Sequence, residues 1–485
     1  MDAADELIGL SAVAVVERLR SGETTPHDLL DALEARIGSV DRHVNALPTL
    51  CFDRARARAD ALAKKPLGER GLLAGMPVPI KDLTNVAGVR TTFGSPIFAD
   101  FVPDASDVLV ERLEAAGAVV YAKSNTPEFG AGANTFNEVF GSTLNPYRTS
   151  HSAAGSSGGA AVALATGMAW LAHGSDMGGS LRNPASFCGI VGMRPTPGRV
   201  AQSRALCVDN TLSVQGPMAR TVEDLALLLD AMAGEDRRDP LSKPCPLQSF
   251  LAAARSGWKP ARVAYSPDLG ITPVDREVAA ITRRAASLLA DAGVRVEEVH
   301  PDLAEAHECF QVLRAQAFAV SYAQHLGINR DKLKPEIVWN VEKGLRLTTA
   351  DIVRAEHQRA AMLARSVKFF ETYDLLLCPA TIVTPFPVGE RYCKSCNGVT
   401  FETYIDWLAI AYATTLVCSP ALSLPCGFTE DGLPVGLQVV AAPNDEASVL
   451  AGARLLEAML GLRTVRPIEP RAEPIPAAAG AAPAG

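Results

Sequence analysis

The sequence predicts an α/β fold in which one large domain carries a β-sheet covered by helices on both faces. Three observations carry that expectation. From Gly75 onward, short apolar runs (MPVPI, AVVYAKS, later VRVEEV and DLLLCPA) alternate with amphipathic segments such as SDVLVERLEAAGA, and strands interleaved with helices build a helix-covered sheet. The chain has 485 residues, 48% of them hydrophobic and 21% charged, enough to enclose a large core at ordinary globular composition. Finally, no internal repeat and no long linker interrupts residues 75–460, so one domain over 71–465 is the economical division.

Taken in order, residues 1–70 read as a helical region packing on that domain. Thr25-Pro26 fits an N-cap followed by proline at the first helical position, and DLLDALEARI repeats apolar residues at helical spacing. Thr221-Val222-Glu223-Asp224 opens a further helix, LALLLDAMAG, closed by Gly234. Residues 235–373 read as mostly helical, with one hairpin-like or βαβ piece around ARVAYSP and VRVEEV. Strands return at DLLLCPA, ALSLPCGF and GLPVGLQVVAA, before a helix at DEASVLAGARLLEAML. Residues 466–485, rich in Pro, Ala and Gly, are expected to be disordered. The uncharged stretch from Trp407 to Phe428 is broken by Pro420 and Pro425, so it reads as buried core rather than a lipid-spanning helix.

The bulk composition excludes several function classes. A net charge of −8 and the lack of lysine or arginine runs argue against a nucleic-acid partner. The acidic start MDAADELIGL lacks the apolar run of a secretory signal, and ten scattered cysteines read as reduced thiols of a cytoplasmic protein without a membrane partner. Cys393 and Cys396 form a lone CxxC. A structural zinc needs about four ligands, and no second pair lies nearby, so both are read as loop residues.

Chemistry concentrates in two glycine nests. Gly155-Ser156-Ser157-Gly158-Gly159 formally fits the G-x-S-x-G nucleophile elbow with Ser157 at its centre. The residues before it, NPYRTSHSAA, read as turn, so the strand an elbow requires is missing. The second nest, Asp176-Met177-Gly178-Gly179-Ser180, frees the amides of residues 177–180 to converge on one oxygen, with the Ser180 hydroxyl beside them. Ser180 is therefore the natural nucleophile. Two bases are candidates. His173, in the strand-like WLAHGSD, reads more simply as a core histidine. Lys81 ends the apolar run Met76–Ile80, where a desolvated amine is neutral near pH 7 and serves as a general base. Asp82 beside it offers a plain ion pair, and on these residues alone the ion pair is the favoured reading.

Taken together, GMPVPIKDL (75–83), AKSNTPEF (122–129), GSSGG (155–159), GSDMGGSLRNPASFCGIVGMRPTPGRV (174–200), QGPMARTVEDLALLLDAMAG (215–234) and SPALSLPCGFTEDGLPVGLQVV (419–440) resemble the amidase signature family. The resemblance implies a large mixed β-sheet with helices on both faces, a motif core over 71–235 and a variable pocket region over about 200–400. It implies a catalytic triad of Ser180 as nucleophile, Ser156, preceded by a cis peptide, as proton relay, and Lys81 as base. The amides of Met177, Gly178, Gly179 and Ser180 become the oxyanion hole. Ser157, Ser175 and Asp176 are supporting residues, and Gly130, Ala131, Gly132 and Arg182 are candidate substrate contacts. For Arg182, pairing with Asp176 is the stronger reading. The sequence departs from the family pattern at Ala154, Ser175, Met177, Met193 and Arg194. None of these is catalytic, and Met177 borders the acyl pocket.

The resemblance implies a serine amidohydrolase for small or aryl-containing amides, with esters or carbamates (urethanes) as further substrates, and with no cofactor and no metal. Trp339, Phe369, Phe370, Tyr404 and Trp407 are candidates for an apolar pocket wall, each also fitting core. A homodimer is suggested by the resemblance alone. The alternative is the glutaminase subunit of a tRNA-dependent amidotransferase; against it, AQSRALCVDNTLSV (201–214) looks more like the free amidases. An α/β-hydrolase-type esterase using Ser157, or a non-catalytic binding scaffold, is the weaker reading.

Overall fold

In the computed structural model, residues 3–203, 207–461 and 466–472 are described. Eight strands form a mixed sheet in the order Arg295–Glu298, Arg262–Tyr265, Leu375–Pro379, Pro434–Val440, Ala421–Phe428, Val191–Arg194, Val214–Ala219, Leu171–Asp176. The first three are mutually parallel, and every later pairing is antiparallel. ARVAYSP and VRVEEV are the two ends of a βαβ unit joined by the helix Arg276–Asp291. The central strands Leu375–Pro379 and Pro434–Val440 are buried along their whole length, and apolar runs rich in Val and Leu suit strands covered on both faces.

A second, three-stranded sheet lies beside the last strand: Thr49–Leu50, Val119–Ser124 and Pro77–Lys81, the latter two parallel. The first 70 residues thus contribute a short strand as well as the helices Ala3–Gly9, Ala12–Ser21, Pro26–Val40 and Phe52–Ala63. Thr25 and Asp28 form a reciprocal capping box, with Thr25 Oγ1 accepting from the Asp28 amide at 3.2 Å and Asp28 Oδ2 accepting from the Thr25 amide at 2.8 Å. Trp170 Nε1 and Arg220 Nη2 donate to the carbonyls of Leu7 and Ile8, fastening these helices to the body.

Between the two sheets runs the helix Gly158–Ala165, buried at every residue. It fits because glycine and alanine make up most of it, and a Cβ on Gly159 would fall 2.3 Å from the Asn125 nitrogen. Trp407, the helix Ala409–Leu416 and the strand Ala421–Phe428 as far as Cys426 are core, whereas Phe428 at the strand's end is exposed. No helix of the described residues is long and apolar enough to cross a membrane. The tail departs from expectation over 466–472, where Ile468 donates to the Ala165 carbonyl and Arg471 to that of Pro146. The rest of the expected disordered tail, 473–485, lies outside the described residues.

Candidate active site

The strand Pro77–Lys81 ends with its last side chain sealed in the interior. Lys81 has no exposed surface, and hydroxyls surround its Nζ: Ser156 Oγ at 2.7 Å, Ser157 Oγ at 2.9 Å and Ser175 Oγ at 3.0 Å. No carboxylate of the described residues lies within ion-pair distance. Burial brings the Lys81 amine down to about 7, opposed only by the charge of Asp176. The expected ion pair with Asp82 is therefore corrected. Consecutive strand residues point to opposite faces, and Asp82 pairs instead with Lys123 Nζ at 2.9 Å.

Ser156 follows a cis Gly155–Ser156 peptide. The hydrogen-bond directions separate it from Ser157. Ser157 Oγ has a carbonyl acceptor, Ser175 O at 3.3 Å, and it accepts the Ser175 amide at 3.3 Å. Its proton therefore has a place that leaves it free to accept from Lys81. A neutral amine has one lone pair, and Ser156 Oγ at 2.7 Å is the hydroxyl nearest to it. The segment before Ser157, read as turn, does contain a strand, Arg148–Ser152. That strand pairs in a two-stranded ribbon with Leu144–Asn145 rather than in the central sheet, so it supplies no elbow.

Ser180 lies in the loop after the strand Leu171–Asp176. Asp176 organises that loop from beneath, accepting from the Gly179 amide (3.0 Å), the Leu181 amide (3.0 Å) and Arg182 Nη2 (2.8 Å). Arg182 and Arg194 hold its carboxyl far below the usual carboxylate range, overcoming the burial that would raise it. One expectation changes here, and for Arg182 the stronger of the two readings, pairing with Asp176, holds. Gly179, at φ +110°, turns its amide onto Asp176, so it is not available as an oxyanion donor. The amides of Met177, Gly178 and Ser180 meet no protein acceptor among the described residues. Arg182 cannot reach a substrate: it is fully buried, and its guanidinium is occupied by Asp176, the Ala411 carbonyl, Thr414 and Gln438. The Ser157 amide donates to the Ser180 carbonyl at 3.2 Å, tying the two nests together.

His173 is a fastener. The Lys81 amide points at its Nδ1 (3.3 Å), which must accept, so Nε2–H donates to Gln215 Oε1 at 2.7 Å. Burial brings its imidazole down to about 3, and it stays neutral.

Ser156, Ser175, Met177, Gly178 and Ser180 border one cavity of about 470 Å³. Lys81 and Ser157 stand behind that floor. Gly130 and Gly132 also border the cavity, whereas Ala131 is buried beside them. The wall is aromatic but not built from the residues expected for it. Trp339, Phe369, Phe370, Tyr404 and Trp407 pack elsewhere, and the lining comes from Phe93, Phe98, Phe101, Phe129, Phe318 and Tyr322. Phe129 and Tyr322 stack with centroids 4.4 Å apart. The first four sit in loops and short 3-10 turns outside the region expected to vary. The signal of Phe93, Phe98 and Phe101 was TTFGSPIFADF, an aromatic cluster in a polar, proline-bearing segment, and Phe129 ends AKSNTPEF. Cys393 and Cys396 are buried, with their thiols directed at the carbonyls of Ser395 and Ile382.

The family profile described as Amidase matches residues 28–450. The chain is 36% identical to an acylamidase of Rhodococcus erythropolis over 93% of its own length and 95% of the relative's. It is 34% identical to a glutamyl-tRNA(Gln) amidotransferase subunit of Moorella thermoacetica, over 93% and 97%. Its fold superposes with a TM-score of 0.87 on a bacterial aryl acylamidase of the amidase signature enzymes, at 25% identity and with 95% and 99% of the two chains covered.

Proposed function

The chain belongs to the amidase signature family, and we propose that it is a serine amidohydrolase cleaving the C–N bond of small aryl-containing amides through an acyl-enzyme on Ser180. The observation that carries this reading is the 2.7 Å contact between the buried Lys81 Nζ and Ser156 Oγ, at the floor of a cavity that Ser180 also borders.

In the proposed reaction, neutral Lys81 takes the Ser156 proton as Ser156 takes that of Ser180. Ser180 Oγ then adds to the substrate carbonyl. The developing oxyanion is received by the free amides of Met177, Gly178 and Ser180, each worth on the order of 10²–10³ in rate. The proton returns through Ser156 to the leaving nitrogen as the C–N bond breaks. Water then enters by the same relay and releases the acid. Esters and aryl carbamates present the same carbonyl to the same nucleophile and fall within the proposal. The aromatic wall supports an aryl preference, because flat apolar walls offer stacking and burial to a ring.

The matches to amidotransferase subunits support one further reading: a glutaminase that supplies ammonia within an assembly. Both are tested on the purified lone chain with anilides, p-nitrophenyl esters, aryl carbamates and glutamine. Amine release from anilides, with an acyl adduct on Ser180 by intact mass, is the expected result. Turnover of glutamine alone, or only once partner subunits join the chain, overturns the free-amidase reading.

A further inference from the structure

We infer that Arg314 is a specificity residue of this cavity and that the preferred amides carry a carboxylate; this rests on the amidase reading for the reaction but not for the binding. Among the described residues the cavity lining includes no aspartate or glutamate, and its one permanent cation is Arg314. That is notable in a chain of net charge −8. Such a lining disfavours cationic substrates and leaves a positive charge to be answered.

Arg314 itself is only 6% exposed. Its guanidinium lies over the Phe318 ring at 4.3 Å, with Tyr404 at 5.7 Å. Nη1 donates to Met177 Sδ at 3.2 Å, Nη2 donates to Tyr404 Oη at 2.8 Å, and Nε–H has no acceptor among the described residues. No carboxylate of the described residues is within ion-pair distance. The other deeply buried arginines are treated differently. Arg182 and Arg194 meet Asp176, and Arg220 meets three backbone carbonyls. A buried guanidinium answered by a thioether and a phenol is short of an anion. Its fork of N–H donors matches a carboxylate, and the flanking rings hold the fork rigid. Met177 joins this cation to the loop of the nucleophile, so an amide whose carbonyl sits over Ser180 can extend its carboxylate toward Arg314.

The test compares two matched pairs by calorimetry on Ser180→Ala, which needs no turnover: 4-acetamidobenzoate against 4-nitroacetanilide, and succinanilate against butyranilide. The carboxylate of at least one pair should bind about 10- to 100-fold tighter than its neutral partner, the range of a charge-assisted hydrogen bond. Adding Arg314→Gln should bring that ratio close to one, and Arg314→Lys should restore part of it. No preference in either pair, binding of none of the four, or a preference that survives Arg314→Gln overturns the inference. If the preference is present but the wild-type chain hydrolyses none of them, the inference stands and the amidase reading fails. If wild type hydrolyses neutral anilides without preference, the reverse holds.

Discussion

Two buried lysines stand on neighbouring strands, and their surroundings give them different chemistry. Lys81 ends the strand Pro77–Lys81. Lys123 lies in Val119–Ser124, paired in register with Ile80. Neither has exposed surface. Because faces alternate along a strand, Lys123 shares the face of Ile80 and Asp82, while Lys81 shares that of Ser124. Lys123 therefore meets a carboxylate, Asp82 Oδ1 at 2.9 Å, and Thr91 Oγ1 at 2.7 Å. Lys81 meets serine hydroxyls. Burial lowers both amines, but at Lys123 the Asp82 charge and hydrogen bond oppose it directly, whereas Lys81 falls to about 7. A carboxylate partner makes a buried lysine a structural ion, and hydroxyl partners leave it able to lose its proton near neutral pH.

The largest expected effect lies on the site itself. Ser180→Ala should lower kcat/KM by about 10⁴-fold or more with unchanged circular dichroism. Retained activity in that variant, lost instead in Ser157→Ala, would reverse the assignment of nucleophile.

Next, the two lysines can be separated by the same substitution. Lys81→Met should lower kcat/KM by on the order of 10³-fold, since general-base assistance is removed, while Tm rises. The sign follows from the depressed amine. Between about pH 7 and the ordinary lysine range, the unfolded chain binds more protons than the folded one. The folded state is therefore penalised most at low pH, and the penalty eases as pH rises through that window. Methionine removes it. Lys123→Met should do the opposite and lower Tm, leaving Asp82 buried without its cation at a cost of about 3–5 kcal/mol, with kcat/KM per folded molecule far less affected. Equal losses of activity in both variants would dissolve the contrast.

A third measurement converts one environment toward the other. With Lys81 protonated below about 7, kcat/KM should fall on the acid side with an apparent pKa near that value. Ser175→Asp places a carboxylate where Ser175 Oγ stands, 3.0 Å from Nζ. It should move the acid limb upward by about one unit or more, since an opposite charge favours the ammonium. An unmoved limb would mean that another group sets it.

What the sequence revealed follows the same physics. Helix starts with a hydroxyl cap, such as Thr25-Pro26, and uninterrupted apolar strands such as DLLLCPA were legible because their signals are local. The identity of Lys81 as an exceptional residue was legible too, from a cation ending an apolar run. Its partner was not. Adjacency suggested Asp82, and only strand alternation together with the parallel register of Lys123 shows otherwise. The Gly179 amide was misassigned because its direction depends on a positive φ and on Asp176 folding back beneath the loop. Phe93, Phe98, Phe101 and Phe129 were missed because loops and short turns have no period. Arg314 did leave a trace, since Phe310, Arg314, Phe318 and Tyr322 recur every four residues on the helix Ala306–Asn329, which places a cation within an aromatic stripe.

The smallest expected effect distinguishes the two adjacent serines. Ser157→Ala removes one acceptor from Lys81 and leaves Ser156, the proposed relay, in place. A neutral amine donates two hydrogens and an ammonium three, and the acceptors around Nζ are the Ser156, Ser157 and Ser175 hydroxyls and, more distant at 3.4 Å, the Ser175 carbonyl. Losing one of them therefore harms the charged form more than the neutral form. The amine should fall further, and the acid limb of kcat/KM should move to lower pH, while the plateau drops by about tenfold because Nζ is less firmly held. Ser156→Ala, by contrast, should remove the relay and lower the plateau by several orders of magnitude. A downward limb shift with a modest plateau loss in the Ser157 variant identifies a hydroxyl that tunes the base without carrying its proton. An upward shift would mean that Ser157, not Ser156, gives its proton to Lys81.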